Sequence, residues 1–236
     1  MKRLYEKNAL GFSLLWIALY VVLFSTADGI SEHLGVQKLI TAPLSAGITV
    51  FLLCWIKKHS LWNTYGLGKG KPDHKAYLGF VPLVALVSVN LWGGFALQFS
   101  LLETVLYVIS MIGVGVVEEI LFRGFLFRAL CKESVKRAVI ISSVTFGIGH
   151  IVNLLGGAQV LPTLLQIVYA TAVGFLFTVI VYRSGSLIPC ILTHCAVNSL
   201  SIFGAERSVA LEMIGAAFMS IVALVYAVWI LKNTEK

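Results

Sequence analysis

Eight apolar stretches, at about 9–27, 39–56, 76–97, 104–127, 138–155, 160–182, 186–203 and 209–231, take up most of this 236-residue chain. A helix needs about 20 apolar residues to cross a bilayer. Inside hydrocarbon every backbone N–H and C=O must find its partner within the protein, which leaves helices as the spans for stretches of this length. The composition agrees: 58% of the residues are apolar and 12% charged, against about 25% charged in a soluble domain. The expected fold class is all-α, a polytopic membrane protein of about eight transmembrane helices forming a single domain, 1–236. The seventh stretch is short and contains Pro189, which predicts a tilted or partly unwound span. Pro43, Pro82, Pro162 and Pro189 are expected to bend spans and open a path into the bundle.

The net charge of +7 has a distribution that explains it. With the N-terminus in the cytosol, the inner segments hold Lys2, Arg3, Lys7, Lys57, Lys58, Lys69, Lys71, Lys75, Arg128, Lys132, Lys136, Arg137, Arg183, Lys232 and Lys236. The outer loops hold Lys38 and Arg207, and Arg123 falls within a span. This asymmetry predicts that both termini are cytosolic. The basic excess is then topology with some contact to anionic lipid, and nucleic acid is not an expected partner. The basic start, Met1-Lys2-Arg3-Leu4, lacks the short apolar core and small-residue cleavage site of a signal peptide, so it reads as the flank of the first span. No lipidation motif is visible. The hydrophilic stretch Lys57 to Lys75 reads as a cytosolic loop. Its Gly66, Gly68 and Gly70 do not follow a strand, so they do not make a phosphate-binding loop. Cys54, Cys131, Cys190 and Cys195 have no metal-type spacing and are expected as small buried residues. His33, His59 and His74 are expected in exposed loops.

Against this background Glu118 and Glu119 stand inside the fourth span. A carboxylate in hydrocarbon costs about 2.5 kcal/mol or more, so such residues mark function when partners can be named. Glu119 and Arg123 are four residues apart, on one helix face, and are expected to pair. Glu118 is rotated about 100° away and is expected to keep its charge uncancelled. Gly113, Gly115 and Gly124 thin this helix for close neighbours. The fifth span carries Phe146 and His150 on one face, and the seventh carries His194 and Asn198 on another. Counting from the cytosolic ends, Glu118 lies about 15 Å deep, His150 about 20 Å and His194 about 16 Å. Three separate spans bring polar groups to one level, which places an active site within the helix bundle. A desolvated Glu beside a His suits it to take a proton from water. A second His with an Asn can stabilise an oxyanion. The set therefore suits hydrolysis of an acyl bond, most naturally a peptide, without a Ser or Cys nucleophile.

Glu118-Glu119-Ile120-Leu121-Phe122-Arg123, Phe146-x-x-x-His150 and His194-x-x-x-Asn198 together resemble the EExxxR, FxxxH and HxxxN motifs of the CAAX protease and bacteriocin-processing family. The resemblance covers roughly residues 100–203 and implies that this segment is the catalytic core. It implies an intramembrane endopeptidase acting near the C-terminus of a prenylated, CAAX-type substrate or on an amphipathic, bacteriocin-like peptide. By the same resemblance Glu118 with His150 activates water, His194 and Asn198 stabilise the oxyanion, and Glu119 with Arg123 holds the geometry, with Phe146 as support. No cofactor is required in this reading. Zinc is the alternative, held by Glu118, His150 and His194 as a two-His, one-carboxylate set; the absence of HExxH leans against it. The expected partners are a peptide or lipid-modified protein and membrane lipids, and the expected home is a bacterial cell membrane. Three other readings share the features: a catalytically silent scaffold or immunity protein, a proton-coupled transporter, and a lipid-processing hydrolase. No inverted repeat of the transporter kind is visible.

Overall fold

The computed structural model of the chain describes residues 1–68 and 80–233. It is all-helical, with 81% of residues in helix. Among the described residues there is no strand, only an isolated antiparallel bridge between Phe95 and Gly204. A short α1 (Lys2–Lys7) leads into α2 (Ala9–His33), which is capped by the Asn8 side chain accepting from the Gly11 N–H. α3 (Thr41–Lys58) and α4 (Phe80–Ser88) follow. α5 runs continuously over Leu101–Leu130. Ser100 and Glu103 form a capping box at its start, which satisfies the otherwise unpaired N–H groups there. The remaining helices are α6 (Val135–Gly149), α7 (Val160–Ser184), α8 (Ile188–Leu200) and α9 (Val209–Asn233).

Five helices are long and apolar enough to cross a membrane: Ala9–His33, Leu101–Leu130, Val135–Gly156, Val160–Ser184 and Val209–Asn233. They correspond to the stretches read at 9–27, 104–127, 138–155, 160–182 and 209–231, each extended at one or both ends. The other three stretches form shorter or less apolar helices. α3 ends on Lys57 and Lys58. The stretch at 76–97 contains α4 and a 3-10 turn over Val89–Leu91. The stretch at 186–203 is α8 with a 3-10 turn over Ser201–Phe203. Residues 76–79, together with Lys69, Gly70, Lys71, Pro72, His74, Lys75 and Lys236, lie outside the described residues. The molecule is a multi-pass integral membrane protein. Its exposed Leu101, Leu155 and Val81 side chains suit a lipid surround.

Three expectations are corrected. Pro43, Pro162 and Pro189 occupy the first turns of α3, α7 and α8, and Pro82 is the third residue of the described α4. Pro43, Pro162 and Pro189 begin helices rather than bend them, because a first-turn residue has no helical partner for the N–H that proline lacks; the residues preceding α4, which would decide the place of Pro82, lie outside the described ones. α8 is therefore short but regular from Pro189 onward. Of the cysteines only Cys190 is buried. Cys54 is exposed on the apolar surface, and Cys131 and Cys195 are half-buried. His33 ends α2 and is exposed, whereas His59 is half-buried with its ring edge-on to Trp55 at 4.9 Å.

α5 is the hub. It packs on α3 and α8, while α7 packs on α6 and α9. Two glycines permit the close contacts of α5: a Cβ on Gly113 would strike Ser45 of α3 at 2.6 Å, and one on Gly115 would strike Cys195 of α8 at 2.8 Å. Gly124, by contrast, has ordinary clearance, with Tyr65 at 3.6 Å. Below Glu119 the α5 helix widens into a π-helical segment, Ile120–Leu126, all of it buried. α2 packs directly over this segment. Ser142 of α6 donates to the Phe122 carbonyl within it at 3.0 Å, a side-chain bond that ties the widened turn to a neighbouring helix. Gly66 adopts φ +66, and its carbonyl accepts from the Leu187 N–H at 3.0 Å, fastening the loop after α3 to the start of α8.

Candidate active site

Where the widened part of α5 begins, three helices place their polar groups together. Glu119 and Arg123 form an ion pair at 2.9 Å, and both side chains are fully buried. The Arg123 guanidinium lies 4.0 Å from the centre of the Phe146 ring and 5.7 Å from that of Phe177. Desolvated cation–π contacts of this kind contribute about 2 kcal/mol. Gly174 of α7 leaves room for this arrangement, because a Cβ there would sit 3.0 Å from Arg123 Nη2 and 3.2 Å from the Phe146 ring.

Phe146 has a second task. Its ring stands edge-on to both imidazoles, with centroids 5.2 Å from His150 and 5.7 Å from His194. One aromatic ring thus contacts the arginine and both histidines. α6 tightens to 3-10 geometry from His150 through Gly156. The His150 Nδ1 lies 3.0 Å from the Phe146 carbonyl, which leaves Nε2 as its outward atom.

His194, on α8, joins the two glutamates. Its Nδ1 is 2.8 Å from Glu119 Oε1, and its Nε2 is 3.4 Å from Glu118 Oε2. With Nδ1 donating to Glu119, a neutral ring presents Nε2 as an acceptor. A charged ring donates to Glu119, lies at ion-pair distance from Glu118 and, with Arg123, brings the four groups to zero net charge. Glu118 therefore does turn away from Arg123, yet it shares an imidazole with Glu119. Among the described residues His150 makes no hydrogen bond or ion pair with Glu118, so the imidazole nearest Glu118 is that of His194. Asn198 lies one turn beyond His194 on α8, half-buried, and its side-chain amide has no hydrogen-bond partner among the described residues.

One contact was not anticipated. Tyr20 of α2 donates its O–H to Glu118 Oε1 at 2.6 Å. A tyrosine in an apolar span carries no motif, and only its place on the same helix face as Phe12, Trp16 and Phe24 could have pointed inward. Glu118 is left 12% exposed, whereas Glu119 is sealed. That asymmetry suits one carboxylate to meet a water molecule and the other to orient an imidazole.

The geometry does not gather a zinc set. Among the described residues no three His, Cys, Asp or Glu side chains are placed to hold a metal ion, and His194 directs a nitrogen to each of two carboxylates.

Residues 99–200 match the family described as type II CAAX prenyl endopeptidase Rce1-like. The matched segment contains all three motifs, so the family resemblance read from them is shown. Searches among curated proteins and among solved structures gave no match.

Proposed function

We propose that this chain, a multi-pass membrane protein with a CAAX-protease family segment at residues 99–200, is an intramembrane endopeptidase that cuts near the C-terminus of a prenylated or amphipathic peptide. The observation that carries the reading is Glu118: a partly open carboxylate inside a helix bundle, with a tyrosine on one oxygen and an imidazole near the other. Glu118 takes a proton from water, the resulting hydroxide adds to the peptide carbonyl, and an oxyanion forms. His194 and Asn198, one turn apart on α8, supply donors to it. His150, across Phe146, faces the same water with Nε2. Collapse of the intermediate breaks the C–N bond, and the proton held by Glu118 passes to the leaving nitrogen. Glu119 and Arg123 keep His194 in place. No metal takes part in this scheme.

In the same proposal α2 to α9 supply eight crossings, with both termini cytosolic and the basic flanks on that side. The chain is one domain, with 100–203 as its catalytic core, and its site opens toward the cytosolic half of a bacterial cell membrane. The test is cleavage of a farnesylated CAAX-type peptide by purified protein in detergent. Wild type should cleave it, and Glu118→Ala should remain folded, with a cooperative melting transition, but not cleave. Retained cleavage by Glu118→Ala would sink the assignment of Glu118. Loss of wild-type cleavage to a chelator, restored by zinc, would overturn the metal-free scheme.

A further inference from the structure

Packing does not account for the Tyr20 hydroxyl. Phe12, Trp16, Tyr20 and Phe24 recur every four residues along α2 and form its inward aromatic stripe. The Tyr20 ring is already held by the Phe24 ring, with centroids 4.5 Å apart. A phenylalanine at position 20 would fill the stripe equally well. What the oxygen adds is a single bond, to Glu118 Oε1, across 98 residues of sequence. Tyr20 lies outside the segment that matches the family, so nothing in that match assigns it a role.

The bond has the character of a strong one. At 2.6 Å it falls in the range of O–H donors to ionised oxygens. Among the described residues no other donor reaches Glu118 Oε1. Arg123, on the same helix, is committed to Glu119, and His194 lies on the side of Oε2. A glutamate has three rotatable bonds, and ordering it at a reaction centre contributes to rate through orientation. With Oε1 held from α2, Oε2 is the oxygen left to face the imidazole and a water beside it.

We infer that Tyr20 is a positioning residue of the hydrolytic site, fixing the Glu118 carboxylate so that Oε2 is aimed at the water it deprotonates. The inference rests on the reading of Glu118 as the base. It places a part of the site on α2, a helix the family match does not reach.

The experiment uses full-length protein in detergent, a farnesylated CAAX-type peptide, and the variants Tyr20→Phe, Glu118→Ala and the double variant. Loss of one hydrogen bond to a charged group lowers activity by about 10- to 100-fold. Tyr20→Phe should show that loss in kcat, with KM within about twofold of wild type, since the peptide does not touch the hydroxyl. A merely structural role would lower melting temperature without this split. The melting-temperature cost of Tyr20→Phe should vanish in the Glu118→Ala background, because the bond is already gone. Tyr20→Phe with wild-type kcat, while Glu118→Ala is dead, overturns the role of Tyr20 and leaves the protease reading standing. A melting cost that persists undiminished in the Glu118→Ala background also overturns it. If wild type itself cleaves no peptide, the protease reading fails, and the positioning role fails with it.

Discussion

Arg123→Met tests whether the buried ion pair braces the site. In wild type the two charges are 2.9 Å apart and neither has any solvent exposure. Removing one partner of such a pair leaves the other charge buried, and typically costs about 3–5 kcal/mol. The ring contacts with Phe146 and Phe177 add about 2 kcal/mol when desolvated, part of which a methionine regains through its own packing. The single variant should therefore lose at least about 3 kcal/mol. The double variant Glu119→Gln with Arg123→Met removes both charges. Replacing a buried pair by neutral groups of similar volume is often close to neutral. The double should therefore return to within about 1 kcal/mol of wild type, because the amide oxygen introduced by Glu119→Gln still accepts from His194 Nδ1. Reversible unfolding in mixed SDS micelles, followed by tryptophan fluorescence, gives both numbers. A loss under about 1 kcal/mol for the single, the size expected of an exposed pair, would refute the buried bridge. So would a double variant no more stable than the single.

Much of the site was legible because helical spacing is a strong constraint. Glu119 and Arg123 pair as an i, i+4 reading requires, and the depth count brought Glu118 and His194 to one level, where they now lie 3.4 Å apart. What the sequence left open is what depends on contacts between helices. His194 reaches both glutamates because α8 packs against α5 where Gly115 lets the backbones approach, and no spacing on a single helix encodes that. The π-helical widening at Ile120–Leu126 has no residue signature in an otherwise ordinary apolar run. Phe146 reads as a core aromatic until Arg123 is found over its face and two histidines at its edges. The prolines were misplaced for a similar reason. Hydropathy marks a span but not the residue where its first turn begins, and the first turn is where proline is comfortable.

Two further predictions bear on that packing. Pro189→Ala should change stability by less than about 1 kcal/mol in the same unfolding assay, because Pro189 starts α8 and breaks no helical hydrogen bond; a large change would restore the bent-span reading. Gly115→Val should inactivate the protein out of proportion to its effect on stability. A Cβ at Gly115 would meet Cys195 Sγ at 2.8 Å, its backbone N at 3.0 Å and its Cα at 3.2 Å. The thiol can rotate aside, but the backbone atoms cannot, so α5 and α8 must move apart by a few tenths of an ångström. Overpacking of this kind costs about 1–3 kcal/mol, which the fold can survive. His194 is the residue next to Cys195, however, and it sits at 2.8 Å and 3.4 Å from the two carboxylates of α5. Separation of the helices lengthens both contacts at once. Gly29→Ala on α2, where a Cβ meets nothing within 4 Å, serves as the control and should leave peptide cleavage unchanged. Wild-type cleavage by Gly115→Val would show that the spacing between α5 and α8 does not set the geometry of the site.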